Sequence, residues 1–520
     1  MRLPRASRRG AGSVAGLAAG LVLAGAPARA ETLAEAIAYA YDTNPTLLSQ
    51  RAQLQATDET YVQAEAGFRP TASLQVLGAY AKGPQLEGVG NQRFTTETNT
   101  GSAVLSLSQP LYTGGRTTAQ VHGAEAQIRA GREQLRAVET TVLQQVVQAY
   151  CDVQRDRSAL AIQREGYKTL FDETDEIKAR HEAGAATITD VEQAQTQLES
   201  AHAAVQSAQA QLEVSAAEYV NAVGRSPGDL AIFPALPGFP IDLDNAFDIA
   251  DQENPTLRQA QFTEAANRAE VEQAKAERRP NLTLNGQFGY SGPAVPAVGD
   301  QFDRTVAVTA TLTQPIFSGG VIGSQVRQAT ASDTSARVQA EAVRRNVVQA
   351  VSQAWSQRRA AELNVATEAA AARAAQATFD GMRVEYRAGL RETLDLLIAQ
   401  ETLTSARISL AQAAHDQALE GAAVLAAVGR LEARALLQGA PLYKPQTSFR
   451  RVEGRGSVPW EFIPKALDRI GAPAPPQPSP LPEPPAPTGA VRIASPAAGT
   501  PQAPAVDERL LVATHPEPNG

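Results

Sequence analysis

The chain is written twice. Residues 108–116 read SQPLYTGGR and residues 313–321 read TQPIFSGGV, 205 positions later. NPTL at 44–47 returns at 254–257, and FRPTASLQV at 68–76 is answered by RRPNLTLNG at 278–286. VVQAY at 146–150 returns as VVQAV at 347–351, and EAGAATITDV at 182–191 as RAGLRETLDL at 387–396. Both copies close on VGR, at 223–225 and 428–430. A repeat of this length makes two copies of one architectural unit. The order is a first repeat at 31–225, a linker at 226–241, a second repeat at 242–430, a further segment at 431–470 and a tail at 471–520.

Within each copy the hydrophobic period switches. In NLTLNGQFGY at 281–290, Leu282, Leu284, Phe288 and Tyr290 alternate with Asn281, Thr283, Asn285 and Gln287. TVAVTATLT at 305–313 sets Val306, Val308, Ala310 and Leu312 against threonines. The first copy has the same pattern, with Leu74, Val76 and Tyr80 against Ser73 and Gln75, and Leu105 and Leu107 against Ser106 and Ser108. Period-2 alternation is a strand signature. It predicts hairpins at 71–81 with 103–109 and at 281–290 with 305–313, joined by polar loops at 82–102 and 291–304. Strands of about ten residues with one apolar and one hydroxyl- and amide-rich face fit the wall of a membrane barrel around a wet lumen. A soluble sheet with one buried face gives the same alternation.

The rest of each copy reads as helix. Residues 116–181 and 321–385 carry no proline, and each makes a rod of about 100 Å at 1.5 Å per residue. In 190–223, Val191, Ala194, Leu198, Ala201, Val205, Ala208 and Leu212 are spaced alternately by three and four; Leu396, Ala399, Leu403, Ala406, Leu410 and Ala413 repeat this in 395–428. These are heptad seams, so each copy holds a helical hairpin, at 116–223 and 321–428. Shorter helices at 45–67 and 255–278 open on proline. Stacked end to end with the last helix of each copy, they match the length of a rod. The QP…GG motif is therefore a strand-to-rod junction, with Pro110, Gly114 and Gly115 in one copy and Pro315, Gly319 and Gly320 in the other. Four strands cannot close a barrel, because the smallest membrane barrels use about eight and open edges are not tolerated in lipid. Two chains would supply eight strands, three twelve and four sixteen.

Composition narrows the function. Residues 1–30 hold five arginines, no acid, an apolar run and an ARA cleavage site at 28–30, which reads as a cleaved signal peptide. The remainder has 42 basic and 55 acidic residues, a net of −13, which disfavours nucleic acid as a partner. One cysteine, Cys151, allows neither an intrachain disulfide nor a cysteine-based metal site. The five histidines, at 122, 181, 202, 415 and 515, lack zinc spacing. No catalytic constellation stands out and no cofactor is expected, so the chain reads as no enzyme. Acidic residues sit mostly at helical surface spacing and read as solvated. Twelve prolines between Pro473 and Pro504 predict an extended, disordered tail. Segment 431–470, with Trp460 and Phe462, is expected to pack around the middle of the rods.

The export signal, the duplicated helix–strand–strand–rod–helix order, the NP, QP and GG motifs and an AG…T…D turn between rod and last helix resemble the TolC family of outer-membrane channels over about 31–440. The resemblance implies a homotrimer in which twelve strands form one barrel in outer-membrane lipid and twelve helices form a periplasmic tunnel. It implies an exit duct for small-molecule toxins, drugs or unfolded secreted protein. Its partners would be a periplasmic adaptor and an inner-membrane pump of the ABC, RND or MFS type. It implies adaptor docking at the tip turns, Ala183, Gly184, Ala185 and Ala388, Gly389, Leu390. It implies a gate in which Tyr386 and Arg391 of the second copy tether Asp190 of the first, with Asp395 as an entrance ring. A second aspartate ring of some members falls on Ile398 and is missing. The alternative outside this family is a secreted coiled-coil scaffold without channel activity.

Overall fold

The computed structural model describes residues 30–87, 92–294, 302–437, 442–470, 472, 474 and 475. The expected signal peptide and proline-rich tail lie outside the described residues, save positions 30, 472, 474 and 475. The first repeat consists of α1 (Leu33–Thr43), α2 (Pro45–Glu65), β1 (Thr71–Glu87), β2 (Gln92–Tyr112), α3 (Arg116–Glu182) and α4 (Ile188–Val223). The second has α5 (Leu243–Glu253), α6 (Pro255–Ala276), β3 (Asn281–Pro293), β4 (Asp303–Thr313), α7 (Val321–Arg387) and α8 (Thr393–Ala427). Three short helices follow: α9 (Ala433–Leu436), α10 (Pro445–Val452) and α11 (Phe462–Asp468). Both rods are 67 residues long. The heptad seams hold, for Ala194, Leu198, Leu396, Ala399, Leu403 and Ala413 are buried.

Asparagine splices the stacked helices. Asn254 Oδ1 accepts from the Thr256 and Leu257 N–H groups at the start of α6, and its Nδ2 donates to the Ala427 carbonyl at the end of α8, at 2.8 Å. Asn44 does the same for α2 and α4, with Nδ2 on the Ala222 carbonyl at 3.3 Å. One side chain thus satisfies an exposed helix start and an exposed helix end, a cap worth about 1 kcal/mol. This is the chemistry of the repeated NP motif. The short helices α1 and α5, absent from the sequence reading, precede each splice. Rod α3 packs between the α2/α4 stack and the α6/α8 stack, and α7 packs on α6 and α8.

The strands form one antiparallel sheet in the order β1-β2-β3-β4, with β1 and β4 as edges. The register puts Leu74, Leu105, Phe288 and Val306 in one row and Ala72, Leu107, Gly286 and Val308 in the next. The opposite face carries Ser73, Ser106 and Gln287, and Thr71, Ser108, Asn285 and Thr309. Leu74, Val76, Tyr80, Leu105, Leu107, Phe288, Val306, Val308 and Leu312 are exposed, which makes an apolar face four strands wide. From Ala72 to Tyr80 this band runs about 27 Å along the strand, or roughly 21 Å across a bilayer at a tilt of about 40°. On the same face beyond Tyr80, Lys82 pairs with Glu97.

The first hairpin is longer than the alternation predicts. β1 runs to Glu87 instead of 81, and β2 starts at Gln92 instead of 103. Ladder hydrogen bonds need no apolar face, so a strand that leaves the membrane continues without alternation. β3 and β4 likewise extend to Pro293 and back to Asp303. β2 also runs through Pro110, with a register shift between Pro110 and Tyr112. Segment 431–470 divides: its first part packs at the middle of the rods as expected, with Leu431, Ala433 and Leu437 in the core beside Leu143, Val146 and Tyr150 of α3, and the part from α10 onward lies elsewhere. α10 lies on α2, and α11 lies on β2 and the start of α3. The reason is polar. Arg69 Nε and Nη2 donate to Glu461 and Glu65, and Lys465 bridges the same two carboxylates.

Candidate functional site

The rod junctions and the hairpin tips depart from regular structure in both copies. At the first junction Gly114 and Gly115 take φ of 69° and 85°, and at the second Gly319 and Gly320 take 61° and 86°. These left-handed angles turn the chain from strand into rod at low cost only with glycine. The glutamine of each QP pair ties the turn to the neighbouring strand start. Gln109 Nε2 donates to the Phe68 carbonyl at 2.8 Å, and Gln314 Nε2 to the Arg278 carbonyl at 3.0 Å. Pro110 and Pro315 carry no N–H, so their positions ask for no ladder partner.

The junctions differ in their caps. Buried Asp468 Oδ1 accepts from the N–H groups of Thr113 and Gly115 and from the Thr113 hydroxyl. Its Oδ2 accepts from the Thr118 N–H and hydroxyl. A carboxylate from the end of the chain therefore caps α3, where the helix dipole favours negative charge. Among the described residues no side chain caps the start of α7 at Gly320, and Ile316 and Phe317 before it stand exposed.

At the tips Gly184 and Gly389 both take φ of 78°. Ala185 N–H donates to the Arg180 carbonyl at 2.8 Å, and Leu390 N–H to the Glu385 carbonyl at 2.9 Å, so both rods end in the same glycine-closed turn. Ala183, Gly184, Ala185, Ala388, Gly389 and Leu390 are all exposed. Thr187 and Asp190 form a reciprocal capping box that starts α4. Bonds from Thr187 hold the Asp190 carboxyl below its usual pKa, and the Thr393 hydroxyl of the second copy adds to this.

The proposed gate residues are placed separately within one chain. Tyr386 is buried among the tip leucines with the Arg180 guanidinium 4.7 Å from its ring. Arg391 is exposed, donates to Glu385 at 2.8 Å and lies 4.0 Å from Asp395. Among the described residues no ion pair joins Arg391 to Asp190; Asp190 reaches the second copy through Thr393.

Several carboxylates on the rods are not solvated as expected. Glu173 of α3 is buried between Leu170 and Ile177, its oxygens lack hydrogen-bond partners, and the nearest cation, Arg383 of α7, is 4.0 Å away. Burial pushes its carboxyl up to about 7. Its position in a seam, three residues after one leucine and four before an isoleucine, was the available signal. Asp152 is likewise buried and bonds His415 across α3 and α8 at 2.8 Å. Among the described residues no cluster of His, Cys, Asp and Glu suits a metal ion.

Comparison with known proteins gives a consistent result. The profile of the family described as outer membrane efflux protein matches residues 36–225 and 247–430, one match per repeat. The outer membrane efflux protein BepC of Brucella suis is 32% identical over 440 residues, 84% of this chain and 94% of that protein. The outer membrane protein TolC of Escherichia coli is 26% identical over 426 residues, 79% of this chain and 84% of that protein. The CmeC outer membrane channel of Campylobacter jejuni superposes with a TM-score of 0.69 at 16% identity, over 81% of this chain and 89% of that one.

Proposed function

Because the chain belongs to the outer membrane efflux protein family, the TolC-like channels, we propose that it is the exit duct of a tripartite export system. The protein resides in the outer membrane, and the members of its family are channels and not enzymes. The observation that carries the proposal is the direct continuation of the apolar-faced sheet into two rods of 67 residues, each about 100 Å long. Three chains would close twelve strands into a barrel and align the helical columns into one periplasmic tunnel. Cargo would enter at the tip from an inner-membrane pump through a periplasmic adaptor that docks on the two glycine turns. The small exposed residues there leave room for helices to approach. A soluble coiled-coil scaffold is set aside by the outer-membrane location.

The gate is proposed at the same tip. Asp190 lies at the start of α4, and Tyr386 and Arg391 flank the turn between α7 and α8. In the closed assembly Arg391 would exchange its local acids, Glu385 and Asp395, for Asp190 across a subunit boundary, and three Asp395 side chains would focus negative potential at the mouth. Tyr386→Phe with Arg391→Ser is expected to raise single-channel conductance in planar bilayers. Asp190→Ala is expected to do the same, with little added effect on top of Arg391→Ser. Thr187→Ala controls for the lost helix cap and is expected to conduct like the parent. A Tyr386→Phe, Arg391→Ser channel that conducts like the parent would sink the gate assignment.

A further inference from the structure

The helix α11 is inside out. Its charged residues face the protein: Glu461, just before it, is 5% exposed and Asp468 is 1% exposed. Its apolar neighbours face away: Trp460 is 48% exposed, Phe462 68%, Ile463 44% and Ile470 65%. A soluble protein would arrange a surface helix the other way round. The polar side is committed to Arg69, Glu65 and the start of α3, so the helix is not free to roll over.

Its place in the fold identifies what it meets. Gln109 pairs with Leu284 and alternates with Leu105 and Leu107, so it ends the apolar face of the sheet. Trp460 Nε1 donates to Gln109 Oε1 at 3.3 Å. The exposed apolar group of α11 therefore continues the membrane-facing band at its rod-side edge. A second observation agrees. Ile316 and Phe317, the counterparts of Leu111 and Tyr112, are exposed at the other junction, and the Tyr112 hydroxyl donates to the Ile470 carbonyl. Both junctions thus present bulky apolar side chains at one level. Arg469, next to Ile470, is exposed, which suits anionic headgroups.

We propose that α11, with Trp460, Phe462, Ile463 and Ile470, is an interfacial anchor that rests in the phospholipid leaflet at the base of the barrel. Tryptophan and phenylalanine with arginine are the residues such a boundary selects. The same helix caps α3 through Asp468, so leaflet contact and rod start are held by one element.

The chain has two tryptophans, Trp355 and Trp460, which permits a direct test. A Trp355→Phe protein is reconstituted into vesicles of phosphatidylethanolamine and phosphatidylglycerol. The vesicles carry brominated acyl chains, labelled either near the headgroup or near the chain end. Trp460 emission is expected to be blue-shifted, quenched more by the headgroup-proximal bromine, and little affected by aqueous acrylamide. Trp460→Phe, which keeps Trp355 roughly 50 Å along α7, serves as the control and is expected to show no bromine quenching. Strong acrylamide quenching without bromine quenching would place Trp460 in water and overturn the proposal. Quenching by neither would place it against a second copy of the chain and overturn it equally.

Discussion

Glu173 puts a proton inside the tip bundle. Burial first, then Glu176 and Asp172 on its own helix, raise its carboxyl from the usual 4.5 to about 7, against the opposing charges of Arg383 and Arg387 on α7. The packed tip therefore binds a proton in the window between 4.5 and about 7 that a water-exposed Glu173 would release. The packing is favoured at acid pH, by on the order of 3 kcal/mol per chain at the low end of the window, and weakens as pH rises toward 7. His415 acts in the same sense. Burial opposes its charge, but the bonds to Asp152 and Asp416 outweigh this and raise its pKa. Its contribution is lost as pH rises through that folded value. Glu173→Gln separates the two groups, since it keeps the shape and removes one titration. Bilayer recordings of the parent are expected to show more frequent opening as pH passes about 7, and Glu173→Gln to show a flatter profile. An unchanged profile in the variant would assign the pH response elsewhere.

At the scale of elements, α3 starts on a carboxylate supplied from more than 350 residues away, and among the described residues no side chain caps the start of α7. Asp468→Ala removes five hydrogen bonds at a buried helix start. It is expected to destabilise the purified protein by about 2 kcal/mol or more, read as a lower helical melting transition, while Glu453→Ala on the same exposed segment leaves it unmoved. Equal melting of both variants would show that the cap carries no weight. Sequence periodicity made the rods, seams, junction glycines and end-to-end stacking legible, because each follows from a 2 or 3.6 repeat or from a residue that alone tolerates an angle. It missed residues 82–87 and 92–102 of the first hairpin, because ladder pairing there continues without apolar alternation: Asn99, Thr100, Gly101 and Ser102 face Tyr80 to Leu77 across the ladder, and Lys82 faces Glu97. It misplaced the segment around Trp460, because an inside-out helix carries the pattern of a core-facing one. Buried Glu173 and Asp152 escaped notice because a single acid in a helix gives no period. The tip residues were found by likeness to a family, and their bonds depend on side-chain positions that no spacing specifies.

The whole molecule is incomplete as one chain, because β1 and β4 end a sheet whose apolar face needs lipid, and lipid tolerates no open edge. The duplication specifies how the edges meet. β2 leads to one rod as β4 leads to the other, with QP as the common mark at 109 and 314; β3 follows α6 as β1 follows α2, with RP at 279 and 69. The β2–β3 ladder inside the chain is thus the template for β4 against β1 of the next copy. Leu107 opposite Gly286 and Ala103 opposite Tyr290 map onto Leu312 opposite Val76 and Val308 opposite Tyr80. Cysteines at Leu312 and Val76 are therefore expected to cross-link neighbouring chains on mild oxidation, and the covalent ladder to stop at three chains. Native Cys151 is buried with its thiol pushed up to about 12, so it is silent in the assay. Leu312→Cys with Leu74→Cys keeps the face but shifts the register by two residues, and is expected to link poorly. If that shifted pair links as well as the matched one, the edges do not meet in the inherited register. If the ladder ends at two or four chains, the barrel closes with eight or sixteen strands instead of twelve.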